Sequence, residues 1–338
     1  MEIFKMRPAY RWGEMTPWGG ERLKDWLGKD APGDRVGESL EVSDLKGLES
    51  VILNGAYEGQ PLSRVLEDDY EGVTGTDKKP FPLLLKLLDA KDILSVQVHP
   101  GDEYALKTDG KLGKTEAWMI ISADPGSRIA YGLKPLDKPL DEVVAEGKIE
   151  DCLNWVYPKA GDVYYIPHGC VHALGGGVMV YEIQQSSDAT YRFWDWGRVG
   201  RDGRPRELHT QKALDVSRTD IALGKLEGAT VLREGGSVTY FISDENFCLA
   251  RLNVCGKMPI NNRYMCFVTP LEPCVMGWDG GEVEINAFET ALVPAACAHP
   301  YIKGKLAALM STLPDSEKLK AELSYRAFLV AGLGDTEK

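Results

Sequence analysis

The shortness of its apolar runs constrains this chain more than any other feature. Stretches such as "ESVILNGAY", "SVQVHP", "AWMIISA", "SRIAYGL", "DVYYIPHG" and "GVMVYEIQQ" are rich in β-branched and aromatic residues and end at turn residues, while glycine and proline recur throughout. Runs of that length and spacing predict strands of an all-β sandwich or barrel. Helical periodicity is confined to "ERLKDWLG" from Glu21, "PLSRVLEDD" from Pro61, "PLDEVVAEGKIEDCLNWV" from Pro139 and "SEKLKAEL" from Ser316. These read as insertions and caps on a β framework, so the expected class is mainly β. At 338 residues the chain has room for two domains. The polar, glycine-rich "RVGRDGRPRE" and the short helical "LHTQKALDVS" precede a fresh set of strands from about Val231, which places the expected boundary near residue 225.

Composition narrows the function classes. No apolar run approaches the roughly 18 residues of a membrane span, and "MEIFKMRPAY" has no signal-peptide core, so a soluble cytoplasmic protein without membrane partners is expected. A net charge of −12 argues against nucleic-acid binding, which needs a basic face. An anionic ligand would need a local basic island, and Arg198, Arg201, Arg204 and Arg206 are candidates for one, against the alternative of a solvated loop. The seven cysteines (152, 170, 248, 255, 266, 274 and 297) contain no C-x-x-C pair, which predicts reduced core residues and no thiolate zinc site.

Within "SVQVHPGD", Val96 and Val98 share one face of a strand while Gln97 and His99 share the other. That second face can present two ligands to one ion. Glu116, at the start of "EAWMII", and His172, after "YYIPHGCV", are candidate third and fourth ligands among only five histidines (99, 168, 172, 209 and 299). Imidazole, carboxylate and amide oxygen suit Zn²⁺, with Fe²⁺ or Mn²⁺ as alternatives. His168, between Pro167 and Gly169, is a rival to His172 and is read as lining. "FETALVPAACAH" (288 to 299) repeats the strand, proline and later histidine of "GDVYYIPHGCVH" (161 to 172), but no "QVH"-like strand precedes it. A second, metal-free barrel of common ancestry would account for that repeat, as would chance. The tryptophans 12, 18, 194 and 196 are equally candidates for lining the mouth of the barrel and for core packing.

"GDVYYIPHGCVH" fits G-x5-P-x-G-x2-H, the second signature of the cupin barrels, and "QVH" with Glu116 resembles the first, glutamine replacing a histidine. More restrictive stretches follow: "WGGERL" (18 to 23), "VGESLEVS" (36 to 43), "FPLLLKLLDAKDILSVQVHPGDEYA" (81 to 105), "GKTEAWMII" (113 to 121) and "GDVYYIPHGCVHALGGGVMVYEIQQSSDATYRFWDWGR" (161 to 198). Together they resemble the type I mannose-6-phosphate isomerases in their short bacterial form. The resemblance implies two cupin-like, jelly-roll β-barrels with a few helical insertions. Residues 1–225 would form the catalytic metal-binding domain, and 226–338 a degenerate one. It further implies one Zn²⁺ per chain, held by Gln97, His99, Glu116 and His172. The implied reaction interconverts mannose 6-phosphate and fructose 6-phosphate through a cis-enediol. Arg192, Lys86 and Lys114 match the family's active-site cations, and Ser95 falls in its substrate pocket. The sequence departs from that pattern at His168 and Cys170, where relatives often carry smaller or hydroxyl side chains.

Such a reaction needs proton transfer between C1 and C2 and stabilisation of negative oxygen. Lys114, with a pKa lowered by a nearby cation, is the first candidate for proton transfer; another carboxylate or a metal-bound water is its rival. Arg192 is suited either to enediolate charge or to phosphate. Two further readings stand beside this one: an iron-dependent cupin dioxygenase, and a sugar-phosphate sensor that has lost turnover.

Overall fold

The computed structural model describes residues 1–200, 203–221, 224–315, 317 and 319. Arg201 and most of the helix expected from Ser316 lie outside the described residues. The chain is mainly antiparallel β with few helices, as the short apolar runs require. No described helix is long and apolar enough to cross a membrane.

Helices form where the sequence periodicity placed them, with two corrections. Leu62–Thr74 follows Pro61 and stops at Gly75, whose φ of 79° lies in the left-handed region that favours glycine at a helix C-terminus. Expected helices also form at Arg22–Asp25 and Thr210–Val216. The long helix expected from Pro139 is only Leu140–Ala145. Beyond it, "LNWV" forms the strand Leu153–Val156, pairing with Ile129–Leu133; the branched and aromatic side chains there suit a pleated surface better than a helix. The second correction is a helix that the sequence pattern did not reveal, Asp102–Asp109. It has little apolar stripe, since of its side chains only Ala105 is buried.

The chain divides into two compact units that are not contiguous in sequence. One comprises Met1–Ala9, Leu40–Lys86 and Leu226–Lys338, the other Tyr10–Ser39 and Leu87–Lys225. Two of the crossings fall inside the strands Val36–Val42 and Leu83–Ala90, so the units share continuous backbone. The first contains a ten-stranded sheet whose longest pair, Cys248–Pro259 with Tyr301–Thr312, is in register along its whole length. Ala250, Leu252, Val268, Met276, Val293 and Ile302 pack its core. The strand Thr290–Val293, bearing the second proline–histidine repeat, pairs with Cys266–Pro270.

In the second unit a five-stranded sheet faces part of a six-stranded one. The strand order of the five-stranded sheet is Tyr191–Trp194, Val96–Val98, His172–Ala173, Ile129–Leu133 and Leu153–Val156. Leu88, Trp118, Ile120, Ile166 and Val180 from the larger sheet share one core with Ile129 and Tyr131 from the smaller. On the outer face of the smaller sheet, Val96, Val98, Ala130, Ala173, Tyr191 and Phe193 pack with Ala213 of the helix Thr210–Val216.

The interior face changes character along each strand. On Glu116–Ala123 and its partner Val178–Gln185, successive cross-strand pairs run Ile120 with Val180, Trp118 with Glu182, and Glu116 with Gln184. Apolar packing at one end thus gives way to buried polar groups at the other. Removing packing from the apolar end should destabilise the unit without touching those groups. Ile120→Ala should lower unfolding free energy by about 2–5 kcal/mol, read as a reduced urea midpoint at unchanged m-value.

Candidate metal centre

The polar end of this interior is assembled by strand register. In the smaller sheet His172 pairs with Gln97 on one side and Tyr131 on the other, and Gln97 pairs in turn with Arg192. Tyr131, His172, Gln97 and Arg192 therefore form a row across one face. His99, two residues beyond Gln97, keeps the same facing. Glu116 enters from the opposite sheet, and one ligand atom each from His99, Glu116 and His172 lie within 4.8 Å of one another. That is the scale of a single shared ion with bonds of about 2.0–2.2 Å. It is the one such cluster among the described residues.

Hydrogen bonding fixes which ring atoms are free. His99 Nδ1 lies 2.9 Å from Ala189 O, and His172 Nδ1 lies 2.9 Å from Cys170 O. A carbonyl only accepts, so each Nδ1 carries the proton and each Nε2 presents a lone pair to the interior. Both Nε2 atoms stand 3.4 Å from Glu116, one at each carboxylate oxygen. Neither oxygen of this fully buried carboxylate receives an aligned hydrogen bond. Three unprotonated donors facing one another match the chemistry of a divalent-cation site, and the residues fit one.

The charges of the protein favour those protonation states. Burial, with the Lys114 ammonium beside it, pushes the His99 imidazole from 6.5 down to about 3, and burial likewise lowers His172. Burial opposes ionisation of Glu116, yet the Lys114 ammonium beside it outweighs that and holds the carboxyl well below its usual range. Lys114 Nζ lies 2.8 Å from Glu116 and 3.0 Å from His99 Nε2. The protein's own groups act on Lys114 in the opposite sense to the cation expected to lower it: burial lowers its pKa, but Glu116 and Glu182 face it and raise it above the ordinary lysine value.

Gln97 sits beside the cluster, its amide nitrogen 3.3 Å from His172 Nε2 and its oxygen accepting from Ser95 Oγ at 3.1 Å. Half a turn of the amide exchanges the two atoms, and the Ser95 hydroxyl can bond either. Arg192 completes the row with a buried Nε that has no hydrogen-bond partner, and burial followed by Arg206 lowers its pKa. Arg198 and Arg206 are committed elsewhere, both pairing with Asp195. Lys86 is 4% exposed and shares a strand face with Leu88 and Ala90. His168 stands outside the cluster; its backbone N–H reaches Thr115 Oγ1 at 3.3 Å. His299 is exposed and pairs with Asp279 at 2.7 Å, away from any described metal cluster. Of the four tryptophans, Trp18 is core, while Trp12 and Trp194 are exposed.

Comparisons with known proteins give the family of the chain. Residues 3–130 match the model of the phosphomannose isomerase type I catalytic domain. A mannose-6-phosphate isomerase from Streptococcus mutans is 40% identical over 245 residues, spanning 71% of this chain and 76% of that one. The chain belongs to the type I phosphomannose isomerase family. The crystal structure of the Bacillus subtilis mannose 6-phosphate isomerase superposes with a TM-score of 0.86 at 31% identity, covering 93% of this chain and all (100%) of the other. A Salmonella typhimurium phosphomannose isomerase variant, at 14% identity and a TM-score of 0.74 over 93% of this chain, shares the fold.

Three groups absent from the sequence reading matter within this family member. Trp118 Nε1 donates to Glu182 at 2.8 Å, and the Trp118 ring meets the His172 ring edge-on at 5.5 Å. Gln184 places a buried, unpaired Oε1 on the strand position opposite Glu116. The only signal of Glu182 and Gln184 in the sequence was the polar "EIQQ" ending an otherwise apolar strand.

Two outcomes test the centre. His172→Ala should lose bound metal as read by elemental analysis after gel filtration, while His168→Ala should retain it. The second concerns pH. Between 6.5 and about 3 the unfolded chain protonates a histidine that the folded protein keeps neutral at position 99. That contribution to stability is present above 6.5 and declines as pH falls towards 3. Urea unfolding of chelator-treated protein should follow this slope, and His99→Gln should flatten it.

Proposed function

We propose that this protein interconverts mannose 6-phosphate and fructose 6-phosphate, using Zn²⁺ held by His99, Glu116, His172 and the amide oxygen of Gln97. The observation that carries the reading is the convergence of three proton-free ligand atoms beside a buried ammonium and a guanidinium with a buried, unpaired Nε. Bound there, a divalent ion supplies Lewis-acid polarisation of substrate oxygens. The names and sequences of the relatives support the choice of substrate.

The remaining steps belong to the chain. Lys114, held as an ammonium by two carboxylates, gives a proton to the C1 oxygen and takes one from the C2 hydroxyl as the sugar passes through a cis-enediol, while a pocket-facing glutamate carries the proton from C2 to C1. Arg192 stabilises negative oxygen on the substrate through a guanidinium that no described carboxylate neutralises directly. Lys86 adds a second buried cation for the phosphorylated sugar, and Ser95 orients the Gln97 amide for ion and substrate. Catalysis lies within residues 1–225, and the residues from 226 onward, with the N-terminal strands that join their sheet, form a companion cupin-like domain whose histidine, His299, is exposed to solvent. A phosphorylated metabolite and seven free cysteines fit a cytoplasmic site of action.

Zinc-replete protein should convert fructose 6-phosphate to mannose 6-phosphate, and Arg192→Met should lose about 10²–10³-fold in kcat/KM. Absence of mannose 6-phosphate defeats the assignment. Iron-dependent oxygen consumption would point instead to a dioxygenase, and sugar-phosphate binding without solvent-proton exchange to a sensor.

A further inference from the structure

Residues 113 to 115 form no regular structure, yet they carry the buried ammonium of Lys114 between two acidic groups. A loop holding a charge there must be fixed from outside itself. Lys114 N donates to Pro100 O at 2.9 Å, the only one of these bonds made by Lys114's own backbone. On either side, the neighbours of Lys114 are held by two side chains. Asp102 Oδ1 accepts from Gly113 N at 2.7 Å, and Gln185 Oε1 accepts from Thr115 N at 2.9 Å. Gln185 Nε2 then donates to the same Asp102 oxygen at 3.0 Å, closing the bracket. The amide orientation is unambiguous, because Thr115 N can only donate and the Asp102 carboxylate can only accept.

The backbone confirms how tight the bracket is. A Cβ on Gly113 would lie 2.5 Å from Asp102 N and 2.6 Å from Gly101 C, so only glycine allows the loop to approach the start of the helix Asp102–Asp109 this closely. Gln185 N also donates to Thr115 O at 3.1 Å, and Ser187 Oγ donates to Leu112 O at 2.6 Å. The end of the strand Val178–Gln185 and the turn after it thus lie along the Lys114 loop. None of these side chains belongs to the cluster of His99, Glu116 and His172.

We propose that Gln185 and Asp102 are positioning residues for Lys114, setting the ammonium where the sugar oxygens arrive while taking no part in metal binding. This rests on the reading of Lys114 as the proton-transfer group. Misplacing such a group by about 1 Å costs on the order of 10²-fold in rate, so the pair acts on kcat through Lys114.

The experiment uses the full-length, zinc-loaded protein. Gln185→Leu should lower kcat by about 10–10²-fold with metal content unchanged and KM altered by less than about threefold. Asp102 is exposed, so its variants serve if Gln185→Leu does not fold. Asp102→Ala should lower kcat in the same direction, and Asp102→Asn, which keeps the acceptor oxygen, should recover most of the loss. In a Lys114→Met background, residual turnover followed by deuterium uptake into the sugar should change by less than about twofold on adding Gln185→Leu. Unchanged kcat in both Gln185→Leu and Asp102→Ala overturns the proposal. So does metal loss in step with activity, or an undiminished effect in the Lys114→Met background. If Lys114→Met alone keeps full kcat, the reading of Lys114 has failed, whatever the Gln185 and Asp102 variants do.

Discussion

The structure around the candidate centre depends on burying the Glu116 carboxylate. A carboxylate inside a sandwich of apolar strands is unfavourable unless charge and directed dipoles compensate it. Here the compensation comes from the Lys114 ammonium at 2.8 Å, while the two imidazoles at 3.4 Å turn lone pairs towards the carboxylate that a shared cation would satisfy. Each of those partners must itself be held: both histidines by backbone carbonyls, and Lys114 by a loop fastened to Asp102 and Gln185. The apolar end of the same interior, with Ile120, Val180 and Trp118, supplies the rigid sheets from which these groups project.

Neutralisation of the cations in this unit is uneven. Asp195 takes both Arg198 and Arg206, and Glu116 with Glu182 raises Lys114. Arg192 is left with a buried unpaired Nε, next in the row to Gln97. An anionic oxygen is the natural partner for such a donor. A protein with a net charge of −12 can still hold an unpaired cationic N–H, because local pairing and overall charge are independent.

Much of this was legible in the sequence. Period-two alternation in "SVQVHP" placed Val96 and Val98 in the core and turned Gln97 and His99 the other way, because a strand has two faces and one was apolar. The proline and glycine of "YYIPHGCVH" marked a strand end and turn, and His172 lies where that turn re-enters the sheet. The helix Asp102–Asp109 was not legible, since its side chains carry almost no apolar stripe and it is secured by position. The sign of the Lys114 shift was also hidden. It depends on Glu182, which is far along the chain and reaches the site only through strand pairing.

By itself the sequence determined the strand-rich class, the identity of the ligand-type residues and their facing within each strand, because those follow from local periodicity and turn chemistry. Only the tertiary structure decided that His172 rather than His168 joins His99 and Glu116. It also decided that each imidazole turns its Nε2 inward, and that Asp102 and Gln185 bracket Lys114. Those outcomes depend on register between strands and on hydrogen bonds spanning up to 90 residues of chain, which no local pattern encodes.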